Sequence, residues 1–331
     1  MVGRDRIDMR VVVLLVLVAA VVFAVPLLTA DRYQLKVLTF VGVNVIIVTG
    51  MALLFGYAGQ VSLGHAAFYG IGAYGSAYVV TSLGWPWLAG VGTAMVLTSL
   101  GGLLLALPSL RLRGHYLAMA TLGFGEIMRV VFVEASWLTG GPDGLSGIPY
   151  PSIGALEIDT AGGNYWLVWG TAALCLALSA NLVRSRSGRA MRAMHGSESG
   201  ALACGIDLTG VKVRVFVLSA ALAGLAGALY AHVVGFISPS SFSLHVSVLI
   251  VAMAVLGGTR SLAGPAIAAV LLSLIPFADA VLPGLSRSAL EMIQEYQEDV
   301  YGLTIILVML FMPAGLAGAI RAVSERGRRS Q

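Results

Sequence analysis

The chain has 331 residues, 58% of them apolar and only 11% charged, against roughly 25% charged in an average soluble domain, so it cannot cover itself with a water-facing surface. That deficit excludes a pair of soluble domains and points to an all-α polytopic integral membrane protein, with residues 1–331 forming a single transmembrane domain. The formal charge of +4 is not the mark of a nucleic-acid binder, because the basic residues crowd into short segments between apolar runs, as cytoplasmic loops do.

Arg4, Arg6 and Arg10 precede an apolar run from Val11 to Leu28. The run exceeds the roughly 7 to 15 residues of a secretory signal and no clear Ala-x-Ala follows, so it reads as a retained first span. With about 20 residues per crossing, the spans expected are Val11–Ala30, Leu35–Phe55, Ala66–Leu83, Trp87–Leu107, Tyr116–Ser136, Tyr165–Val183, Val213–His232, Val246–Leu256, Ala263–Leu282 and Tyr301–Ile320. These make about ten transmembrane helices, the eighth short. An even number puts both termini on one side. With that side inside, sixteen of the twenty basic residues fall on inner segments or, as Arg214, at the inner edge of a span, Arg32, Lys36 and Arg287 on outer segments or edges, and Arg129 alone well within a span. Both termini are therefore expected in the cytoplasm.

Several segments carry more than hydropathy. After the second span, Gln60, Ser62 and His65 stand among glycines 56, 59, 64, 70 and 72. Polar groups facing lipid there would each cost several kcal/mol, so they are expected either to line a pathway or to be satisfied inside a close-packed helix break. On the fifth span Glu126 and Arg129, three residues apart, share one face, and either neutralise each other towards the bundle as a structural pair or line the pathway. The long outer segment 138–164 holds Asp143, Glu157 and Asp159. Inner loop 184–212 reads as two short helices whose apolar stripes (Ala190, Met191, Met194; Ala201, Leu202, Cys204) are too small to bury alone. They suit either another protein or a juxtamembrane helix on anionic lipid. The seventh span carries Ala220, Gly224 and Ala228, with Ala223, Gly227 and Ala231 beside them, a spacing that favours close helix packing. Gly257–Pro265 weakly echoes the first glycine-rich segment, and Arg287–Val300 is either a short interfacial helix or a solvated loop.

The chemistry that is missing narrows the function. The two lysines, Lys36 and Lys212, lie outside any Gly-x-x-x-x-Gly-Lys-[Ser/Thr] motif, so any ATP hydrolysis belongs to partners. The five histidines show no metal-ligand spacing, and the two cysteines, one in an apolar run and one in a basic loop, suggest no disulfide. No cofactor, metal or catalytic centre is expected.

Glu198-Ser-Gly-Ala-Leu-Ala-Cys-Gly205-Ile206 resembles the EAA coupling segment of ABC importer permeases, departing from it at Ser199-Gly200, where Ala-Ala often follows the glutamate. The stretches Gly56–Tyr74, Leu110–Glu126, Leu138–Ile148, Phe216–Tyr230 and Tyr301–Leu316 resemble the permeases of branched-chain amino acid (leucine, isoleucine, valine) importers, M-type subunit, over nearly the whole chain. The resemblance implies an ABC importer permease fold and a non-enzymatic transport subunit of the bacterial plasma membrane. It implies partners too: a second, H-type permease, two cytoplasmic ATP-binding subunits and an extracytoplasmic solute-binding protein. Coupling would run through the cytoplasmic loop 184–212, with Arg189, Arg192, Glu198, Ala201 and Gly205 meeting the ATPase, while Gln60, Ser62, His65, Glu126 and Arg129 are candidates to line the pathway. A related importer for urea, amides or other amino acids is the alternative. An ion-coupled carrier is weaker, since only Glu126 and Asp279 offer a coupling carboxylate.

Overall fold

The computed structural model describes residues 31–109, 115–154, 156–258 and 261–277, with scattered positions between 296 and 318. The expected first span, most of the tenth, the end of the ninth, most of Arg287–Val300 and both termini lie outside the described residues.

Helix α1, Arg32–Met51, is capped by Asp31, whose carboxylate accepts the Tyr33 N–H at 2.9 Å. It runs on into a π-helical stretch, Ala52–Tyr57. Its sequence is apolar on all sides, as suits a helix enclosed by others, and nearly every residue after Val41 is buried. The helices that follow are α2 (His65–Thr81), α3 (Trp87–Ser109), α4 (His115–Glu134), α5 (Ala161–Arg184), α6 (Arg186–Gly196), α7 (Glu198–Ala203), α8 (Leu208–Val234), α9 (Leu244–Gly257) and α10 (Ala263–Leu274). Two short antiparallel pairs, Leu145–Ser146 with Phe236–Ile237 and Ser152–Ile153 with Leu156–Glu157, mark one end of the bundle. Helices α6 and α7 mark the other.

Among the described residues six stretches are long and apolar enough to cross a membrane: Arg32–Tyr57, Trp87–Leu107, His115–Glu134, Ala161–Arg184, Leu208–Val234 and Pro239–Gly257. Ala263–Phe277 is a shorter apolar helix. Helix α2 is not in that set, although the sequence suggested a full crossing there. It is short and carries His65, Ser76 and three tyrosines, which α8, α3, α4 and α9 screen from lipid.

Small residues explain how α2 is enclosed. The Gly72 Cα faces the Gly224 backbone of α8, and any side chain on Gly227 would strike the Tyr69 carbonyl. The expected small-residue stripe of α8 therefore serves packing: its glycines let α2 lie backbone to backbone, and Ala220 fits against Gly102 of α3. Around this core of α1, α2 and α8, helices α3, α4 and α5 present large apolar residues outwards, among them Leu104, Met119, Ile127 and Leu174. That distribution is the one a bilayer solvates.

Candidate functional site: two broken helices and the loop beneath them

The chain between α1 and α2 is a break. Gln60 N–H reaches back to the Leu54 carbonyl at 3.0 Å to close the π-helical stretch, Gly59 turns with φ +69°, and irregular backbone leads to His65. Without a preceding turn, the first N–H groups of a helix need outside acceptors. Thr121 Oγ1 of α4 accepts the Leu63 N–H and Ser247 Oγ of α9 accepts the Ala66 N–H, both at 2.9 Å. His65 is fully buried, its Nδ1 3.1 Å from Ser62 Oγ and its Nε2 2.7 Å from Ser219 Oγ of α8. One ring nitrogen donates and the other accepts, with the serine hydroxyls taking the complementary roles.

Ser219 fixes the depth of this cluster. It lies eleven residues from the start of α8 and fifteen from its end, about 16 and 22 Å at the helical rise. Helix α2 thus begins near mid-membrane and runs to the strand end, where Ser76 Oγ meets His232 Nε2 at 2.9 Å. A second break enters from that end. Gly235, with φ +75°, terminates α8; Phe236 and Ile237 pair with the first strand, and a 3-10 turn, Pro239–Phe242, descends to α9. Ser247, in the first turns of α9, touches the first turn of α2, and from there α9 runs beside the π-helical stretch to the α6 end. Two short helices, of 17 and 14 residues, therefore meet start to start and leave in opposite directions, an inverted arrangement of the kind that builds transport sites. The sequence placed the echo of the first break at Gly257–Pro265. Gly257, at the end of α9, packs against Pro265 in the first turn of α10, and the inverted counterpart of the first break precedes α9.

Of the candidate pathway residues, Ser62 and His65 belong to this cluster. Gln60 is also buried, and its Oε1 has no hydrogen-bond partner among the described residues. Glu126 and Arg129 form an ion pair, Arg129 Nε donating to Glu126 Oε2 at 2.8 Å, but not towards the bundle: the side chains are 41% and 48% exposed. Helix α4 lies at the edge and buries only Leu117, Thr121 and Phe132, so a pair set between the last two along the helix is turned outwards. A depression beside it, lined by Leu63, Ala66, Gly125, Glu126, Ser243 and Ser247, reaches the point where α2 and α9 begin.

The loop beneath the breaks is held by caps. Ser185, Ser197 and Asp207 accept the N–H groups of Gly188, Gly200 and Gly210 to start α6, α7 and α8. Gly205, at φ +74°, ends the turn after α7. Arg192 Nη1 donates to the Val183 carbonyl at 3.0 Å and Arg189 Nη1 to that of Arg184 at 3.3 Å, so both arginines close the end of α5. Glu198 Oε1 lies 2.6 Å from Lys212 Nζ on α8. Of the apolar stripes, Met191, Met194 and Ala201 are buried against this chain, while Leu202 and Cys204 stay exposed. His195 closes over Gly59.

Sequence reading missed Thr121, Ser219, Ser247 and His232, whose Nδ1 also lies 2.7 Å from the Pro149 carbonyl. Serine and threonine within apolar spans are common back-bonders to their own helix, and only the fold shows which of them serve a neighbour.

The family described as branched-chain amino acid transport system, permease component, matches residues 33–309. The chain is similar to the high-affinity branched-chain amino acid transport system permease protein LivM of Salmonella typhimurium, 34% identical over 309 residues covering 86% of this chain and 70% of that protein. Its similarity to LivM of Escherichia coli K12 is 33% over 327 residues, 91% and 74% of the two chains. LivH of the same strain is 26% identical over 300 residues, 82% of this chain and 90% of that one.

Proposed function

The chain belongs to the branched-chain amino acid transport permease family, and from that premise we propose that it is the M-type translocation subunit of an ATP-driven importer for branched-chain amino acids. It forms half of the pathway with an H-type permease, in the bacterial plasma membrane. The similarity to both LivM and LivH supports that pairing, since two related subunits can enclose one route between them. Two ATP-binding subunits act on the α6–α7 loop from the cytoplasm, and a solute-binding protein delivers cargo to the end that carries 138–164.

The observation that carries this reading is the way the loop is fastened. Arg189 and Arg192 hold it to α5 and Glu198 holds it to α8, while the His195 ring lies against Gly59 in the break before α2. A push on α6 therefore reaches three membrane elements at once, the last of them leading into the His65 cluster at mid-depth. Closure of the ATPase pair moves the loop, the helices tilt, and the route at the permease interface opens to the docked binding protein. Glu126, Arg129 and the depression beside them line that route, with Gln60, Ser62 and His65 behind it. The chain itself supplies no hydrolytic chemistry.

The test is purification with the four candidate partners and measurement of ATP hydrolysis as leucine is added with its binding protein. Stimulation by leucine, isoleucine or valine is expected. Stimulation by urea or a short amide instead transfers the reading to a related importer, and uptake without nucleotide overturns it.

A further inference from the structure

Helix α5 packs chiefly on α1 and only lightly on α8, and a groove opens between its loop end and α8, with α6 beneath. The groove's apolar wall includes Leu182, Met191, Val215 and Leu218, while Ser187 of α6 and Arg214 of α8 supply its polar side chains. Leu218 directly precedes Ser219, the residue at mid-depth, whereas Arg214 stands six residues from the start of α8, about 9 Å at the helical rise. The groove therefore runs from the membrane edge into hydrocarbon. Arg214 turns back towards that edge, its Nη2 3.1 Å from where a side chain on Gly210 would begin, as a long basic side chain does to bring its charge to the interface.

The mouth of the groove is set for an anion. Among the described residues Arg214 makes no ion pair and the Ser187 hydroxyl no hydrogen bond. The two acids of the neighbourhood are engaged, Asp207 as the cap of α8 and Glu198 with Lys212, and residues 184–214 set six basic residues against those two. A phosphate between α6 and α8 would take charge-assisted hydrogen bonds from both walls. A headgroup with its own cation would bring that cation among the arginines.

Below the mouth the groove is set for a hydrocarbon chain. Its volume of about 90 Å³ is room for a few methylenes and too little for a partner's helix, about 10 Å across. Leu178 and Leu174 follow Leu182 at steps of four on one face of α5, and both are exposed, so the apolar strip continues for about 12 Å along the helix. A soluble anion would leave that wall uncovered, whereas an anionic lipid fills mouth and wall together.

We propose that this groove is a binding site for an anionic glycerophospholipid, its phosphate held between Arg214 and Ser187 and one acyl chain running over Leu182 along Leu178 and Leu174. The site requires only that the chain lies in a membrane and stands whatever solute it carries.

The purified chain in detergent is titrated with phosphatidylglycerol or phosphatidylcholine of identical acyl chains, and bound lipid is read by native mass spectrometry. Phosphatidylglycerol is expected to bind at about ten-fold lower concentration. Arg214→Gln should bring it to the phosphatidylcholine value, while Arg186→Gln, at an exposed neighbour that does not line the groove, should leave the preference intact. A phosphatidylglycerol with a photoreactive acyl chain, added in equimolar amount to the unmodified chain, is expected to crosslink to peptides holding Leu174–Leu182 or Val215–Leu218, a result independent of how the variants fold. Equal binding of the two lipids, an R186Q loss as large as that of R214Q, or crosslinks confined to other segments overturns the proposal. Displacement of the lipid by glycerol 3-phosphate overturns it too, in favour of a site for soluble anions.

Discussion

The ring of His195, at the end of α6, lies over Gly59 so closely that a methyl group on Gly59 would fall 2.6 Å from Nδ1. Gly59 also holds φ +69°, a conformation in which a Cβ costs about 1 kcal/mol before any collision. Gly59→Ala is therefore expected to force α6 away from the break and reduce leucine-stimulated ATP hydrolysis by roughly ten-fold. The double variant G59A/H195A removes the collision and leaves only the backbone strain, so it should recover part of the loss. Additive losses in the two single variants and the double would show that the residues do not act on each other.

The Glu198–Lys212 pair joins α7 to the start of α8 across 2.6 Å, with the lysine side chain 11% and the glutamate 30% exposed. Its solvent contact limits its worth to about 1 kcal/mol, yet Glu198→Lys sets two cations side by side and should uncouple ATP hydrolysis from leucine. The exchange E198K/K212E restores opposite charges and should regain coupling. ATPase assays on the reconstituted complex read both, and an exchange variant as poor as E198K would show that Glu198 acts elsewhere.

His65→Ala leaves Ser62 and Ser219 hydroxyls buried without their partner, at roughly 1–3 kcal/mol for each group not re-satisfied. A lower Tm of the purified complex and slower leucine uptake are expected together, while Ser219→Ala, which deprives only one ring nitrogen, should fall between H65A and the parent. Equal Tm values for all three would show that the cluster does not hold α2 in place.

Gly227→Leu drives a side chain into the Tyr69 carbonyl and the Ala73 amide. Overpacking typically costs about 1–3 kcal/mol, and here the obstacle is backbone, which yields less than a side chain. The variant should reach the membrane but give little monodisperse complex on size-exclusion chromatography. An undiminished peak would show that α2 and α8 have room to separate.

The helices were legible wherever lipid imposes its length on the chain, as in α3, α5 and α8. The two helices of the inner loop were legible too, from the apolar spacing of Met191, Met194 and Ala201, whereas the caps Ser185, Ser197 and Asp207 came from the fold. What escaped sequence reading depends on neighbours. Hydropathy sees the composition of α2 but not that α8 and α3 wrap it, and so an enclosed 17-residue helix read like the lipid-facing spans. The descent through Pro239–Phe242 carries Ser and Phe, with Gly235 as its only glycine, so it lacked the glycine density that exposed the first break. The orientation of Glu126 and Arg129 was out of reach for a further reason: residue spacing fixes that they share a face, and only the packing of α4 decides which way that face turns.

The start of α2 draws its support from far ahead in the polypeptide. Ser219 lies 154 residues beyond His65, and Ser247 lies 181 beyond Ala66. A ribosome therefore delivers α1 and α2 long before the hydroxyls that complete them exist. Until α8 and α9 emerge, the imidazole of His65 and the amide of Ala66 have no partner from those helices, so the seat of α2 is completed only late in synthesis.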